Sequence, residues 1–219
     1  MRYSLYYNTV SSQQVGVQMK SAAREILETI ILTLIIFLLV RSVVQNFKVD
    51  GRSMEPTLES GQYLLINKAA YWRIEPDGLG RVLAVFRSQN SGSRFIFGSP
   101  QRGDVIIFKY PKDPSRDFVK RIIAVPGDFI EIKEGKVFVN DKPIVEDYVL
   151  NQPNYFVERQ KVPPENYFVL GDNRKNSHDS HVWGNVPLDN IIGRAWIRYW
   201  PIDQWGIIPS GPIAAEAVR

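Results

Sequence analysis

Ser53 and Lys120 are the two residues of this chain best suited by type to covalent chemistry. Ser53 lies in a short turn, residues 51–57, where Gly51 allows close backbone approach to a ligand and Pro56 stiffens the segment after the serine. The chain has no cysteine and only two histidines, so most other pairs of nucleophile and base are absent. A serine becomes a nucleophile beside a base, and a lysine held out of water can be that base.

The strand pattern around Lys120 predicts an amine among apolar neighbours. Alternation places Lys120 on one face with Phe118, Ile122 and Ala124, while Arg121 leaves from the opposite face. Because burial disfavours the ammonium form, we expect the pKa of Lys120 to lie about 2–3 below its reference value of about 10.4. Taken alone, the lysine also fits a strand-edge residue that reaches water, and Ser53 fits an ordinary capping serine.

A dense polar loop, residues 171–184, follows the predicted strand 167–170. Its Asp, Asn and Ser side chains are of the kind that bond neighbouring backbone groups and hold a loop rigid. The loop also contains His178 and His181, which could indicate a metal site or a Ser-His-Asp triad. Too few further metal ligands accompany them, and histidines in polar loops are usually surface hydrogen-bonding residues.

The element before these segments is an apolar run over residues 26–44. As a helix its 19 residues would be about 28 Å long, close to the hydrocarbon thickness of a bilayer. A buried core helix and a cleaved export signal are the alternatives, and the absence of a small-x-small site after the run disfavours the second. Basic residues flank both ends, so counting positive charges does not decide the orientation.

Beyond residue 60 the pattern changes to short strands rich in Val, Ile, Phe and Tyr, separated by turn signals. The predicted strands are 63–67, 104–110, 117–125, 129–133, 136–140, 167–170 and 191–199. We therefore predict a mainly β domain, with residues 69–102 as an inserted hairpin that has a flexible tip. The cluster of Trp196, Tyr199, Trp200 and Trp205 is most simply core and rim packing, and its alternative is a lipid-facing surface.

Composition narrows the function further. The 219 residues carry a net charge of +4 with dispersed Lys and Arg, which disfavours a nucleic-acid binder and suits a modest attraction to anionic lipid. The lack of cysteine removes disulfides, thiol catalysis and thiolate zinc sites.

Together with Arg-Gly-Asp-Val at residues 102–105, the segments around Ser53, around Lys120 and over 171–184 resemble the motifs of bacterial type I signal peptidases, in the family's order and after a membrane anchor. By that resemblance Ser53 is the nucleophile and Lys120 the general base. Ser177 matches the serine that hydrogen-bonds and orients the lysine amine, and Asp172 and Asp179 match positions that brace the site.

The resemblance also implies an architecture and a substrate class. It implies an antiparallel coiled-β catalytic domain with one transmembrane helix, a cytoplasmic segment at 1–24, an anchor at 25–45 and an extracytoplasmic β-rich peptidase domain at 46–219. The implied substrates are exported preproteins, whose signal peptides are removed after small-x-small sites. We expect a monomer in the cell membrane, with the lipid bilayer as a partner and with no metal or organic cofactor.

Two positions depart from the family pattern. Some relatives have a serine at the position of Gly51 that helps to hold the oxyanion, so here the oxyanion would rest mainly on backbone N–H groups, including that of Ser53. The family often has an arginine at the position of His181, paired with the aspartate that matches Asp179. A neutral histidine makes only a hydrogen bond there.

Two rival functions stay open at this point. A membrane-tethered β domain could bind exported polypeptides or cell-wall material without cutting them, in which case Lys120 would be an ordinary charged lysine. A self-cleaving Ser-Lys domain of the kind found in SOS-response repressors is the other, and the anchor and the lack of a DNA-binding helix pair disfavour it.

Overall fold

The computed structural model describes the backbone over residues 4–74 and 94–210, and the side chains over residues 24–73 and 95–210. Two compact units are present, Met1–Val43 and Val44–Arg219. Helix α1, Ser4–Val43, belongs to the first unit. Its Arg24–Val43 stretch is exposed, and it is long and apolar enough to cross a membrane. The helix ends at Val43, two residues before the predicted end of the anchor.

The second unit is built mainly from strands. Its strands are β1 (Val44–Lys48), β2 (Tyr63–Asn67), β3 (Arg73–Ile74), β4 (Arg94–Phe95), β5 (Val105–Tyr110), β6 (Asp113–Ala124), β7 (Phe129–Lys133), β8 (Lys136–Val139), β9 (Lys142–Pro143), β10 (Val157–Lys161), β11 (Asn166–Leu170), β12 (Val186–Pro187), β13 (Ile191–Trp200) and β14 (Gly206–Ile207). Helix α2, Ser180–Trp183, is a single turn. The prediction of a mainly β domain with one N-terminal apolar helix is confirmed.

All strand pairs among the described residues are antiparallel. The larger sheet has the order β1-β2-β13-β5-β6-β11-β12, with β14 paired to β13. A four-stranded sheet has the order β10-β7-β8-β9, and β3 pairs with β4 alone. That last pair lies within the predicted 69–102 hairpin, whose predicted tip lies outside the described residues.

Seven predicted strands are present with ends shifted by up to four residues, but β1, β10 and the two-residue strands β9, β12 and β14 were missed. Strand β1 directly follows α1, so its apolar residues were counted as the end of the anchor. Strand β10 is an edge strand with four of its five residues exposed, so it has no alternating apolar pattern to detect.

Strand β6 is the centre of the packing. It contributes Val119 to one apolar cluster, Ile123 to a second and Ile122 to a third. The strand is therefore buried on both faces over its last six residues. As a result, Lys120 and its neighbour Arg121 are both buried, at 4% and 3% exposure, although they leave the strand on opposite faces. Alternation did not predict that both would be buried.

The aromatic cluster near the end of the chain is exposed. Trp200 and Trp205 are 51% and 65% exposed, and Ile202 and Ile207 beside them are each 73% exposed. These two tryptophans are therefore rim rather than core residues, which the prediction of core and rim packing includes. Trp200 is the last residue of β13, and β14 pairs with that strand at Ile197 and Arg198.

Candidate active site

Ser53 lies in a turn just after β1 that buried apolar residues hold in place. Val49 before it and Met54 after it are 2% and 1% exposed. Gly51 has a φ of +87°, a left-handed conformation that a side chain would strain. The N–H of Leu58 donates to the carbonyl oxygen of Met54 at 2.9 Å, which closes one turn behind the serine. The backbone thus fixes where the Ser53 hydroxyl lies.

Lys120 reaches this hydroxyl from β6. Its Nζ lies 2.7 Å from Ser53 Oγ and 2.9 Å from the carbonyl oxygen of Val119. The ring of Phe118 covers the amine, with 5.4 Å between Nζ and the ring centroid. An ammonium donates both hydrogen bonds, whereas a free amine at the same distance can accept the serine proton. The structure therefore brings together the two residues on which the sequence argument depends.

Burial lowers the pKa of Lys120 to about 8, while the negative charges of Asp179 and Asp172 oppose the shift by favouring the ammonium. Neither carboxylate bonds the amine directly, because the hydrogen-bond partners of Nζ are a hydroxyl and a carbonyl oxygen. The lowered pKa agrees with the prediction from the strand pattern. A usable fraction of Lys120 is a free base near neutral pH.

Both residues line an open cavity of about 340 Å³. Phe47 of β1 and Phe118 of β6 also line it, as does His178 from the polar loop. Strand β1 pairs only with β2, and β11 pairs with β6 only at residues 121–124. One edge of β1 and one edge of β6 at residues 117–119 are thus unpaired within the described residues, and both strands border the cavity.

The polar loop 171–184 rests directly on the backbone of the serine turn. A Cβ at Gly171 would lie 2.4 Å from the carbonyl oxygen of Ser53, so only glycine permits this contact. The N–H of Asn173 donates to the same carbonyl oxygen at 3.0 Å, and its Nδ2 donates to the carbonyl oxygen of Arg52 at 3.1 Å. The position of Ser53 therefore depends on the position of this loop.

Asp172 braces the loop through a buried ion pair. Nε and Nη2 of Arg121 donate to its two carboxylate oxygens at 2.9 and 2.7 Å, and the Asp172 side chain is fully buried. Arg121 also donates to the carbonyl oxygen of Gly103, which belongs to the Arg-Gly-Asp-Val segment. That segment is thus tied to the loop through the guanidinium that leaves β6 on the face opposite Lys120.

Asp179 braces the loop from its other end. One carboxylate oxygen accepts the N–H of Gly171 at 2.9 Å, and the other lies 2.6 Å from Nδ1 of His181. The ring of His181 stacks on Tyr155 with 3.8 Å between centroids and a 10° angle between planes. The predicted hydrogen bond between His181 and Asp179 is confirmed.

Ser177 does not make the contact that was expected of it. Its buried Oγ makes no hydrogen bond to any described residue, so the predicted bond to the Lys120 amine is not formed here. The reason is geometric, because Nζ is turned towards Ser53 and the carbonyl oxygen of Val119. The Ser177 hydroxyl instead packs against Gly171, where an added Cβ would lie 2.2 Å from it.

The two histidines have other side-chain partners. No cluster of three His, Asp or Glu side chains suited to a metal occurs among the described residues. Nε2 of His178 lies 3.5 Å from the hydroxyl of Tyr110, and His181 is bonded to Asp179. The base within reach of Ser53 is Lys120, which also disfavours the Ser-His-Asp interpretation.

Three residues that support the loop were missed from the sequence. Arg174 is fully buried within the loop and bonds Glu146, which belongs to the connection between β9 and β10. Tyr148 of the same connection donates to Glu146. Arg174 directly follows Asn173 in the polar loop, a position that could have marked it. Glu146 and Tyr148 lie in a segment without periodicity, so only the fold identifies them.

Most of the chain is similar to known proteins of one family. Residues 23–200 match the family model described as signal peptidase, peptidase S26. The chain is 35% identical over 201 residues to signal peptidase I of Leptolyngbya laminosa, covering 88% of this chain and 87% of that protein. It is 35% identical over 195 residues to probable signal peptidase I-1 of Synechocystis sp., covering 85% of this chain and 87% of that protein.

A plant protein and a solved bacterial structure are also among the matches. The chain is 37% identical over 190 residues to the chloroplastic thylakoidal processing peptidase 1 of Arabidopsis thaliana, covering 82% of this chain and 51% of that protein. A crystal structure of a signal peptidase I from Enterococcus faecalis V583 aligns with a TM-score of 0.39 and 30% identity, covering 44% of this chain and 97% of that chain.

The β-rich fold, the apolar N-terminal helix and these similarities together define a membrane-anchored peptidase. The chain belongs to the signal peptidase family, peptidase S26, and has the function of a type I signal peptidase.

Proposed function

We propose that the chain cuts peptide bonds with Ser53 as nucleophile and Lys120 as general base. One observation carries this proposal: Lys120 Nζ lies 2.7 Å from Ser53 Oγ. Burial also lowers the pKa of this amine to about 8. A nucleophilic serine needs a neutral base within hydrogen-bond reach, and these two properties meet that need. The bracing roles of Asp172 and Asp179, and the place of Ser177 beside the dyad, belong to the same proposal.

The reaction then proceeds in two stages. Lys120 takes the proton of Ser53 as Oγ attacks the scissile carbonyl carbon, and the protonated amine returns a proton to the leaving amino group. Water, deprotonated by Lys120, then attacks the acyl carbon, and Lys120 returns that proton to the leaving Ser53 Oγ. The backbone N–H of Ser53 donates no hydrogen bond to any described residue, so it is free to stabilise the oxyanion where Gly51 supplies no hydroxyl.

The substrates in this proposal are the signal peptides of exported preproteins, held as an extended strand. The unpaired edges of β1 and β6 supply backbone donors and acceptors on both sides of the cavity. The side chains of Phe47, Phe118 and Val119 give that cavity an apolar lining. Such a lining favours small apolar residues before the cut, as the small-x-small preference requires.

The membrane arrangement is the next part of the proposal. The apolar helix anchors the chain, residues 1–24 lie in the cytoplasm, and the β domain from residue 46 lies outside it. Exposed Trp200 and Trp205, with Ile202 and Ile207 beside them, form a surface suited to the lipid interface. Anchoring confines the monomeric enzyme and its substrates to one membrane, which raises their effective concentration.

The test uses the full-length protein in detergent with a purified preprotein. We expect Ser53→Ala and Lys120→Ala to lower kcat by at least about 10⁴-fold, the usual scale for removing a nucleophile or its base. Lys120→Arg should be equally inactive, because a guanidinium keeps its proton. Lys109→Arg, at an exposed position on β5, is the matched control and should cleave at the parent rate.

Parent-level cleavage by Ser53→Ala or Lys120→Arg would end the dyad proposal. If Ser53→Ala still bound the preprotein and the parent never cut it, the non-catalytic binding domain would be the better interpretation.

A further inference from the structure

Arg174 is a charged side chain buried completely inside the polar loop. Its side chain is 0% exposed, and its Nη1 donates to a carboxylate oxygen of Glu146 at 2.7 Å while Nη2 donates to the other. The Glu146 side chain is only 5% exposed. Glu146 comes from the connection between β9 and β10, so a segment of the four-stranded sheet supplies the counter-charge of a residue in the loop that contacts Ser53.

Tyr148 strengthens this connection from the same segment. Its hydroxyl donates to Glu146 at 2.8 Å, which orients the carboxylate. Its ring lies under the guanidinium of Arg121, with 4.1 Å to the ring centroid. Arg121 in turn holds Asp172 of the loop. Residues 146–148 therefore contact both guanidinium groups that fix the loop.

The connection continues to the nucleophile. Nε of Arg174 donates to the carbonyl oxygen of Gly171 at 3.2 Å, and Gly171 is the residue that packs against the backbone of Ser53. Asn173, just before Arg174, donates its N–H to the carbonyl oxygen of Ser53. A displacement of Arg174 would move both contacts, and with them the distance between Ser53 Oγ and the amine of Lys120.

We propose that Glu146 is a positioning residue of this active site, which fixes the nucleophile through Arg174 and the loop 171–173. The proposal rests on the proposed function of Ser53 and Lys120. It gives a connection of the four-stranded sheet a part in catalysis, because Glu146 lies between β9 and β10 and fixes the loop 171–173 through Arg174. Tyr148 supports Glu146 in that role.

Glu146→Gln in the full-length protein tests this proposal, with Glu158→Gln as control. Glu158 is an exposed residue of β10 in the same sheet, so its variant undergoes the same chemical change away from the loop. We expect Glu146→Gln to lower kcat about 10- to 100-fold at temperatures well below its thermal midpoint, since small displacements of reacting groups have effects of this size. KM should stay within about twofold, because the strand edges that hold substrate are untouched.

A second measurement separates positioning from simple stability. Asp172 and Asp179 of the loop raise the pKa of Lys120 against burial. A loosened loop weakens that effect, so the acid limb of kcat/KM should move to lower pH in Glu146→Gln and stay in place in Glu158→Gln. If Glu146→Gln is not recovered folded, Tyr148→Phe decides the question, with an expected fall in kcat of about 3- to 10-fold and the same direction of pH shift.

Two results would overturn the inference. One is a folded Glu146→Gln enzyme with the parent's kcat and acid limb and only a lowered thermal midpoint. The other, where Glu146→Gln does not fold, is a Tyr148→Phe enzyme identical to the parent in both measurements. Ser53→Ala, assayed alongside, distinguishes the dyad proposal from the Glu146 proposal. If Ser53→Ala is inactive, the dyad proposal stands even where Glu146 proves merely structural.

Discussion

Two neighbouring cations on β6, Lys120 and Arg121, are buried to the same degree but differ in their direct hydrogen-bond partners. Arg121 is bound by both carboxylate oxygens of Asp172 and by the carbonyl oxygen of Gly103. Lys120 bonds only a hydroxyl and a carbonyl oxygen. The guanidinium side of the strand therefore keeps its charge fully compensated, and the amine side does not.

The difference shows how one strand can serve both structure and chemistry. A buried cation with a bidentate partner stays charged and holds a loop in place, because its desolvation is offset by the ion pair. A buried cation without a carboxylate partner loses its proton more easily, which makes it a base. Burial alone does not decide whether a cation stays charged or becomes a base. The presence of a directly bonded carboxylate decides it.

The largest expected effect is on stability, with opposite signs at the two positions. Arg121→Met leaves Asp172 buried without its partner and should lower the free energy of unfolding by about 3–5 kcal/mol. Lys120→Met removes an amine whose pKa falls from 10.5 to about 8 on folding, and should raise the free energy of unfolding at pH 7 by up to about 3 kcal/mol. Urea unfolding of the full-length protein in detergent measures both.

The pH dependence of the free energy of unfolding provides the control for the Arg121→Met and Lys120→Met variants. Between pH 8 and 10.5 the unfolded state holds more of the Lys120 proton than the folded state, so the parent gains stability as pH rises through this window. Above it the amine is neutral in both states, and the advantage of Lys120→Met should vanish. Shifts of the same sign in both variants at pH 7 would show that the two cations are not differently compensated.

The next effect is on catalysis. Because the amine must be neutral to act as a base, kcat/KM should fall about tenfold for each pH unit below the lowered pKa of Lys120, or about 100-fold at pH 6 relative to the plateau. A pH–rate profile of the full-length enzyme checks this. An acid limb centred near the ordinary histidine pKa that disappears in His178→Ala would assign the limb to His178 and contradict the comparison.

The smallest effect concerns the carboxylate at the other end of the loop. Asp179 already accepts the N–H of Gly171, so it needs from residue 181 only one donor. We expect His181→Arg to keep kcat/KM within about threefold, because a guanidinium can supply that donor, and His181→Leu to lose more. Steady-state kinetics decide the point, and a hundredfold loss in the arginine variant would show that the stacking of His181 on Tyr155 matters more than the hydrogen bond.

The local pattern of apolar and polar residues was enough to predict many of the strands in this molecule. Strands β2, β7 and β8 alternate clearly between buried and more exposed residues, and such apolar periodicity follows from burial of one strand face. By contrast, β10 is an exposed edge strand, and β1 continues the composition of the helix before it, so neither has a local signature. The Ser177 hydroxyl was expected on the amine, and its orientation depends on packing that no local pattern encodes.

The amino-acid sequence by itself determined the reactive groups, the apolar helix, most strands of four or more residues and the polar loop of the site, because each depends on residue type and short spacing. Tertiary structure alone decided that both faces of β6 are buried, that Arg121 is compensated while Lys120 is not, and that Glu146 reaches Arg174 from the connection between β9 and β10. The physical reason is that desolvation and charge pairing depend on the neighbours in space, and these neighbours are 28 to 67 residues apart along the chain.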